Sequence, residues 1–155
     1  VDNHRFSRKD LEGRIWIINF IYTACPDQCL AMSGTMQVLQ AVFRQNERVH
    51  LVSLSLDPDR DSPEVLRAYA KRWGARGDRW HFVTGAKTEL RQLLEKGFHI
   101  GNSDDLTQHS LYMVLVDAHG DIRGYYQGDD PKAVRRLQRD GWRLNHEQHR
   151  STAQP

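Results

Sequence analysis

Residues 14–29 read RIWIINFIYTACPDQC. The first nine, Arg14 to Tyr22, are rich in β-branched and aromatic side chains and lie between Gly13 and Pro26, which predicts a buried strand. From Cys29 to Arg44 the apolar residues Met32, Met36, Leu39, Val42 and Phe43 recur at helical spacing. A strand, a short Pro-containing loop and a helix therefore follow one another. Cys25 and Cys29 bracket the loop at the carboxyl end of the strand, the edge where open α/β sheets bind ligands.

Working outward, Val49 to Leu56 (VHLVSLSL) predicts a second strand. Ser62 followed by Pro63 marks a helix start, with Ser as N-cap and Pro in the first turn; that helix stops at Gly74. Arg79 to Val83 reads as a short strand, and Thr88 to Lys96 as a helix ended by Gly97. Leu111 to Val116 and Ile122 to Gln127 form a hairpin across His119-Gly120. Asp130-Pro131 opens a last helix expected to fade near Gly141, leaving 145–155 as a frayed tail and 1–144 as one domain. Strands alternating with helices imply parallel pairing first, and the hairpin adds antiparallel pairing. The fold class is α/β: a thioredoxin-like central mixed sheet flanked by helices, with a short β-α insertion around residues 78–100.

Composition fits this. The chain has 155 residues, 39% of them hydrophobic, and a formal net charge of +2, which suits a globular domain. The mean hydropathy is −0.70 and the apolar run 15–22 is broken by Asn19, so no stretch is long enough to span a bilayer. Lys and Arg are scattered among Asp and Glu without a basic stripe, which argues against nucleic acid.

Two cysteines four positions apart are a redox pair or metal ligands; a disulfide scaffold would need more of them. Cys29 falls near a helix N-terminus, where the dipole favours a thiolate. The C-x-x-x-C spacing has one residue more than a thioredoxin-type pair, which frees both sulfurs to face a shared atom. Among eight histidines, strand direction favours His109, just ahead of an antiparallel third strand that begins at the cysteine edge. His50 and His119 belong to the opposite edge. His81 lies inside a strand, His4, His146 and His149 lie toward the termini, and His99 is a weaker candidate. Two thiolates and one imidazole suit copper, Cu(I) through sulfur and Cu(II) with the imidazole, whereas structural zinc would want a fourth protein ligand. Asp57 and Asp61, in the D-P-D-R-D-S-P loop at the same edge, are candidate acceptors behind the ligands, although turn and helix-start chemistry also accounts for them. Met32 and Met36 read as core.

The stretches FIYTACPDQC (20–29), SLDPDRDSPEVLRAY (55–69) and HSLYMVLVDAHG (109–120) resemble the Sco/SenC proteins, in order and spacing, over about residues 11–140. The resemblance implies a thioredoxin-like fold and a copper site on Cys25, Cys29 and His109. It implies a monomeric copper carrier, rather than an enzyme, that metallates the dinuclear copper site of cytochrome c oxidase. The partners would be the copper-bearing oxidase subunit and another copper chaperone or a thioredoxin-like reductase. Some members act as thiol–disulfide reductases on the same target, in which case Cys25 and Cys29 would be the catalytic pair. The expected location is the bacterial periplasm, with membrane attachment only through an N-terminal anchor absent here, or else the mitochondrial intermembrane space. The segment before Leu11 is short for the family, which suggests a trimmed chain. Leu30 stands where the family often has Pro, and Gln108 where it often has Asp; the latter bears on copper affinity and redox poise. A peroxidase reading ranks last, because Thr23 precedes Cys25 by two positions where that chemistry wants three.

Overall fold

The computed structural model describes residues 8–25, 28–100 and 111–151. Five strands, β1 (Ile15–Ile21), β2 (Val49–Ser55), β3 (Trp80–Val83), β4 (Tyr112–Val116) and β5 (Ile122–Gln127), form one sheet in the order β3-β2-β1-β4-β5. β1 and β2 pair in parallel, as do β2 and β3, while β4 runs antiparallel to both β1 and β5. The mixed sheet and its β-α insertion are as the element order predicts.

β1 and β2 are buried along their whole length, because helices cover both faces of the sheet. Ile15, Ile17 and Ile21 point to one face. There they meet Met32, Met36 and Leu39 of α2 (Gln28–Val42), Leu66 and Tyr69 of α3 (Pro63–Arg72), and Leu137 of α5 (Pro131–Ser151). Trp16, Ile18 and Phe20 point to the other. That face is covered by Leu90 of α4 (Lys87–Gln92) and by Leu94, Phe98 and Ile100, with Leu11 of the short α1 (Arg8–Leu11) at its margin. The period-two alternation of β1 thus becomes two separate cores.

Ser62 caps α3, its side chain accepting from the Val65 N–H, and Gly74 follows the helix at φ 62°. Two helices differ from expectation. The helix over 88–96 ends at Gly97 as expected, but it is not α-helical throughout. α4 stops at Gln92 and passes into a π-helical turn, Leu93–Gly97, closed by the Phe98 N–H on the Leu93 carbonyl at 2.8 Å. The left-handed residue is His99, at φ 53°. Gly97 serves close packing instead: a Cβ there would lie 2.9 Å from Leu93 Cδ1.

The last helix does not fade at Gly141. α5 continues to Ser151, so residues 145–151 are helical rather than frayed, and a domain limit at 144 falls inside a helix; 152–155 lie outside the described residues. Gly141 sits against Phe43, where a Cβ would come within 2.9 Å of the ring, and Leu144 and Asn145 beyond it are buried. A glycine that admits a neighbouring ring reads in sequence like a helix stop.

Candidate metal and thiol site

Four chain segments meet at the carboxyl edge of β1. Ile21 pairs with Ser55, so β1 and β2 end side by side. Asn19 pairs with Met113, which sets the start of β4 at that same edge, the direction the choice of His109 required. The β5–α5 connection returns there too, with the Gly128 N–H donating to the Leu111 carbonyl at 2.9 Å.

Cys25 is buried, 6% exposed, and its N–H donates to the Tyr22 carbonyl at 3.1 Å, closing a tight turn straight off β1. Of Cys29 only the backbone is described: it is the second residue of α2, whose first turn holds no acidic residue. Helix N-termini favour a thiolate over a thiol. His109 lies outside the described residues, within 101–110. Among the described residues no three His, Cys, Asp or Glu side chains gather to hold a metal. Of the expected ligand set, the described residues include Cys25 and the backbone of Cys29.

The two aspartates part company. Asp61 is fully buried, and its carboxylate accepts from the Thr23 N–H at 3.2 and 3.3 Å, from Thr23 Oγ1 at 2.5 Å and from Ser55 Oγ at 2.6 Å. Its own N–H donates to the Asp57 carbonyl at 2.8 Å. Asp57 instead turns its carboxylate to Arg60, 3.6 Å away, while its N–H donates to Ser55 Oγ. Asp57 shapes the turn; Asp61 reaches the cysteine loop. Sequence reading had no means of finding Thr23 and Ser55 as its partners, because the Thr23–Asp61 contact spans 38 residues with no motif to mark it.

Of the other described histidines, His50 and His119 sit at the opposite edge of the sheet. His50 pairs with Trp16 in the β1–β2 register, at the far end, and its Nδ1 lies 3.4 Å from His81 Nε2. Burial, then the charges of Arg14, His81 and Arg79, push the His50 imidazole down to about 4. His119 occupies the β4–β5 turn, its N–H held by Asp117. His99 and His146 are exposed. Met32 and Met36 are fully buried in the core, as expected.

The SCO1/SenC family model matches residues 1–139. The chain belongs to the SCO1/SenC family. The SCO1 protein homolog of Bacillus subtilis is 30% identical over 135 residues, covering 82% of this SCO1/SenC chain and 69% of that protein. A Stutzerimonas stutzeri protein provisionally named as copper-binding is 32% identical over 129 residues, covering 77% and 61%. The chain thus spans about two thirds of the length of these relatives. The solved structure of BsSco, described as a Sco-family cytochrome c oxidase assembly protein with a disulfide switch, superposes with a TM-score of 0.80 at 27% identity, covering 94% of this chain and 88% of that one. That match carries the thioredoxin-like fold of the SCO1/SenC domain. No helix of the described residues is long and apolar enough to cross a membrane.

Proposed function

We propose that this SCO1/SenC protein is a copper carrier acting in cytochrome c oxidase assembly, holding its cargo on Cys25, Cys29 and His109. The observation that supports it most is the placement of Cys25: buried, in a tight turn at the carboxyl end of β1, four residues ahead of a cysteine at the start of α2. Two thiolates there offer a soft, low-coordinate site, and one imidazole completes a set that serves both copper oxidation states. The copper-binding name of the Stutzerimonas relative and the oxidase-assembly role of BsSco point the same way. The cargo leaves by ligand exchange: thiolates of the docked acceptor, the copper-bearing oxidase subunit, replace Cys25 and Cys29 one at a time. The reading places a monomer on the extracytoplasmic side of a membrane, where a cysteine pair can cycle between thiol and disulfide.

Copper titration of the fully reduced protein tests this. One equivalent should bind, with a thiolate-to-Cu(II) absorption band and an EPR signal that His109→Ala alters, and with Cu(II) affinity falling further than Cu(I) affinity. Wild type and His109→Ala with equal affinities and spectra would remove His109 from the site. No tight binding at all would overturn the carrier reading.

A second reading is favoured by the disulfide switch described for BsSco. Here Cys25 and Cys29 reduce a partner disulfide: the dithiol gives up two electrons and two protons, the partner opens to two thiols, and the Cys25–Cys29 disulfide forms. Such a protein would cycle against a dithiol without needing His109.

A further inference from the structure

We propose that Asp61 is a positioning residue, a buried clasp that fixes the Cys25 turn to the end of β2 and thereby sets both copper affinity and the redox poise of the cysteine pair. The inference rests on the reading of Cys25 and Cys29 as a working thiol pair. Its geometry is a relay of short contacts. Ser55 ends β2 and donates from Oγ to the carboxylate at 2.6 Å. The carboxylate takes both donors of Thr23, the hydroxyl at 2.5 Å and the N–H at 3.2 Å. Thr23 is an inner residue of the turn that the Cys25 N–H closes on Tyr22. The clasp therefore grips the loop two residues before the thiol and refers it to a strand in the middle of the sheet.

The chemistry selects a carboxylate. All three groups facing it are donors, and an ionised carboxylate is acceptor-only with room for about four hydrogen bonds. Asparagine has the same shape but turns an NH2 toward one of those donors, leaving a buried mismatch. Among the described residues, the Asp61 carboxylate bonds to Thr23 and Ser55 rather than to Cys25. It acts through Thr23.

Loosening the turn has two separable consequences. The sulfurs lose preorganisation toward a shared copper ion, so affinity falls. The effective concentration of one thiol at the other also falls, so the disulfide forms less readily and the reduction potential rises. Thr23→Val is the cleanest probe, because it removes the hydroxyl and leaves every charge in place; Thr23→Ser restores it. Asp61→Asn tests the carboxylate directly.

The test uses the whole protein, with copper ions and a dithiol redox buffer as probes and urea unfolding as the control. Thr23→Val and Asp61→Asn should each weaken copper binding about tenfold. Each should also raise the Cys25–Cys29 potential by about 30 mV, the equivalent of tenfold for a two-electron couple. Thr23→Ser should return both values to wild type, and the double variant should be no worse than the single ones. Lowered urea midpoints with wild-type potential and copper affinity would reduce the clasp to a stability device and overturn the proposal. If Asp61→Asn does not fold, Thr23→Val decides. If the wild type binds no copper, the carrier reading fails, while the potential still decides for or against the clasp.

Discussion

His50 shows how one side chain records its surroundings. It lies 6% exposed at the far end of β2, with its ring 5.0 Å from Trp16 and stacked on His81 at 5.7 Å. Burial and the nearby Arg14, His81 and Arg79 lower its pKa from 6.5 to about 4. The unfolded chain takes up a proton near pH 6.5, whereas the folded chain resists until about pH 4, so stability falls as pH drops through that window. The loss from this ring should be on the order of 2 kcal/mol, the full conversion being reduced for screening by water. His50→Gln should flatten the urea midpoint between pH 6.5 and 4 relative to wild type; an unchanged slope would assign the acid sensitivity elsewhere. At the other edge, Gly128 leaves no room for a side chain beside Met32 Sδ of α2 and Met113 Cε of β4. Gly128→Ala should cost about 1–3 kcal/mol by overpacking, read as a lower urea midpoint with unchanged slope. The cysteines, the strand direction behind His109 and the turn role of Asp57 were legible in sequence. The bond from Asp61 to Thr23 was not, since nothing local distinguishes a carboxylate that shapes its own turn from one that fastens another.

Elements were legible wherever the pattern was long or the cap chemistry was specific. Ser62-Pro63 starts α3 as read, and the alternation of β1 divides the two cores. Gly141 misled in α5, because a residue chosen for closeness looks like one chosen for conformational freedom. Gly97 sits under Leu93, and Gly141 under Phe43. The four-residue α1 is too short to show a period; its Leu11 carbonyl is fixed by the Trp16 indole at 2.9 Å, a contact outside the reach of pattern. Gly141→Ala should decide between the two meanings in α5. A helix stop would gain up to about 1 kcal/mol from alanine's propensity. Because the Cβ would press on the buried Phe43 ring, a net loss of about 1–2 kcal/mol is expected, measurable by thermal unfolding.

Across the whole molecule, protection should follow the strand order. β1 is hydrogen-bonded on both sides, to β2 and β4, and is fully buried. β5 is an edge with alternating exposure. Native-state hydrogen exchange should find the β1 amides among the slowest and those of β5 faster; the reverse order would contradict the sheet. The Cys25 turn follows β1 directly and is tied to β2 through Asp61, so its amide should exchange nearly as slowly as those of β1.

The far end of α2 gives the last consequence. The Arg79 guanidinium, one residue ahead of β3, donates to the carbonyls of Phe43 and Asn46 just past that helix's C-terminus. Gln37 and Gln40, midway along it, donate to the carbonyls of Trp73 and Gly74. The helix behaves as a beam bolted at its tail and waist. Sliding of α2 along its axis would break these four bonds together, so the helix that carries Cys29 holds a fixed place against β3 and the end of α3.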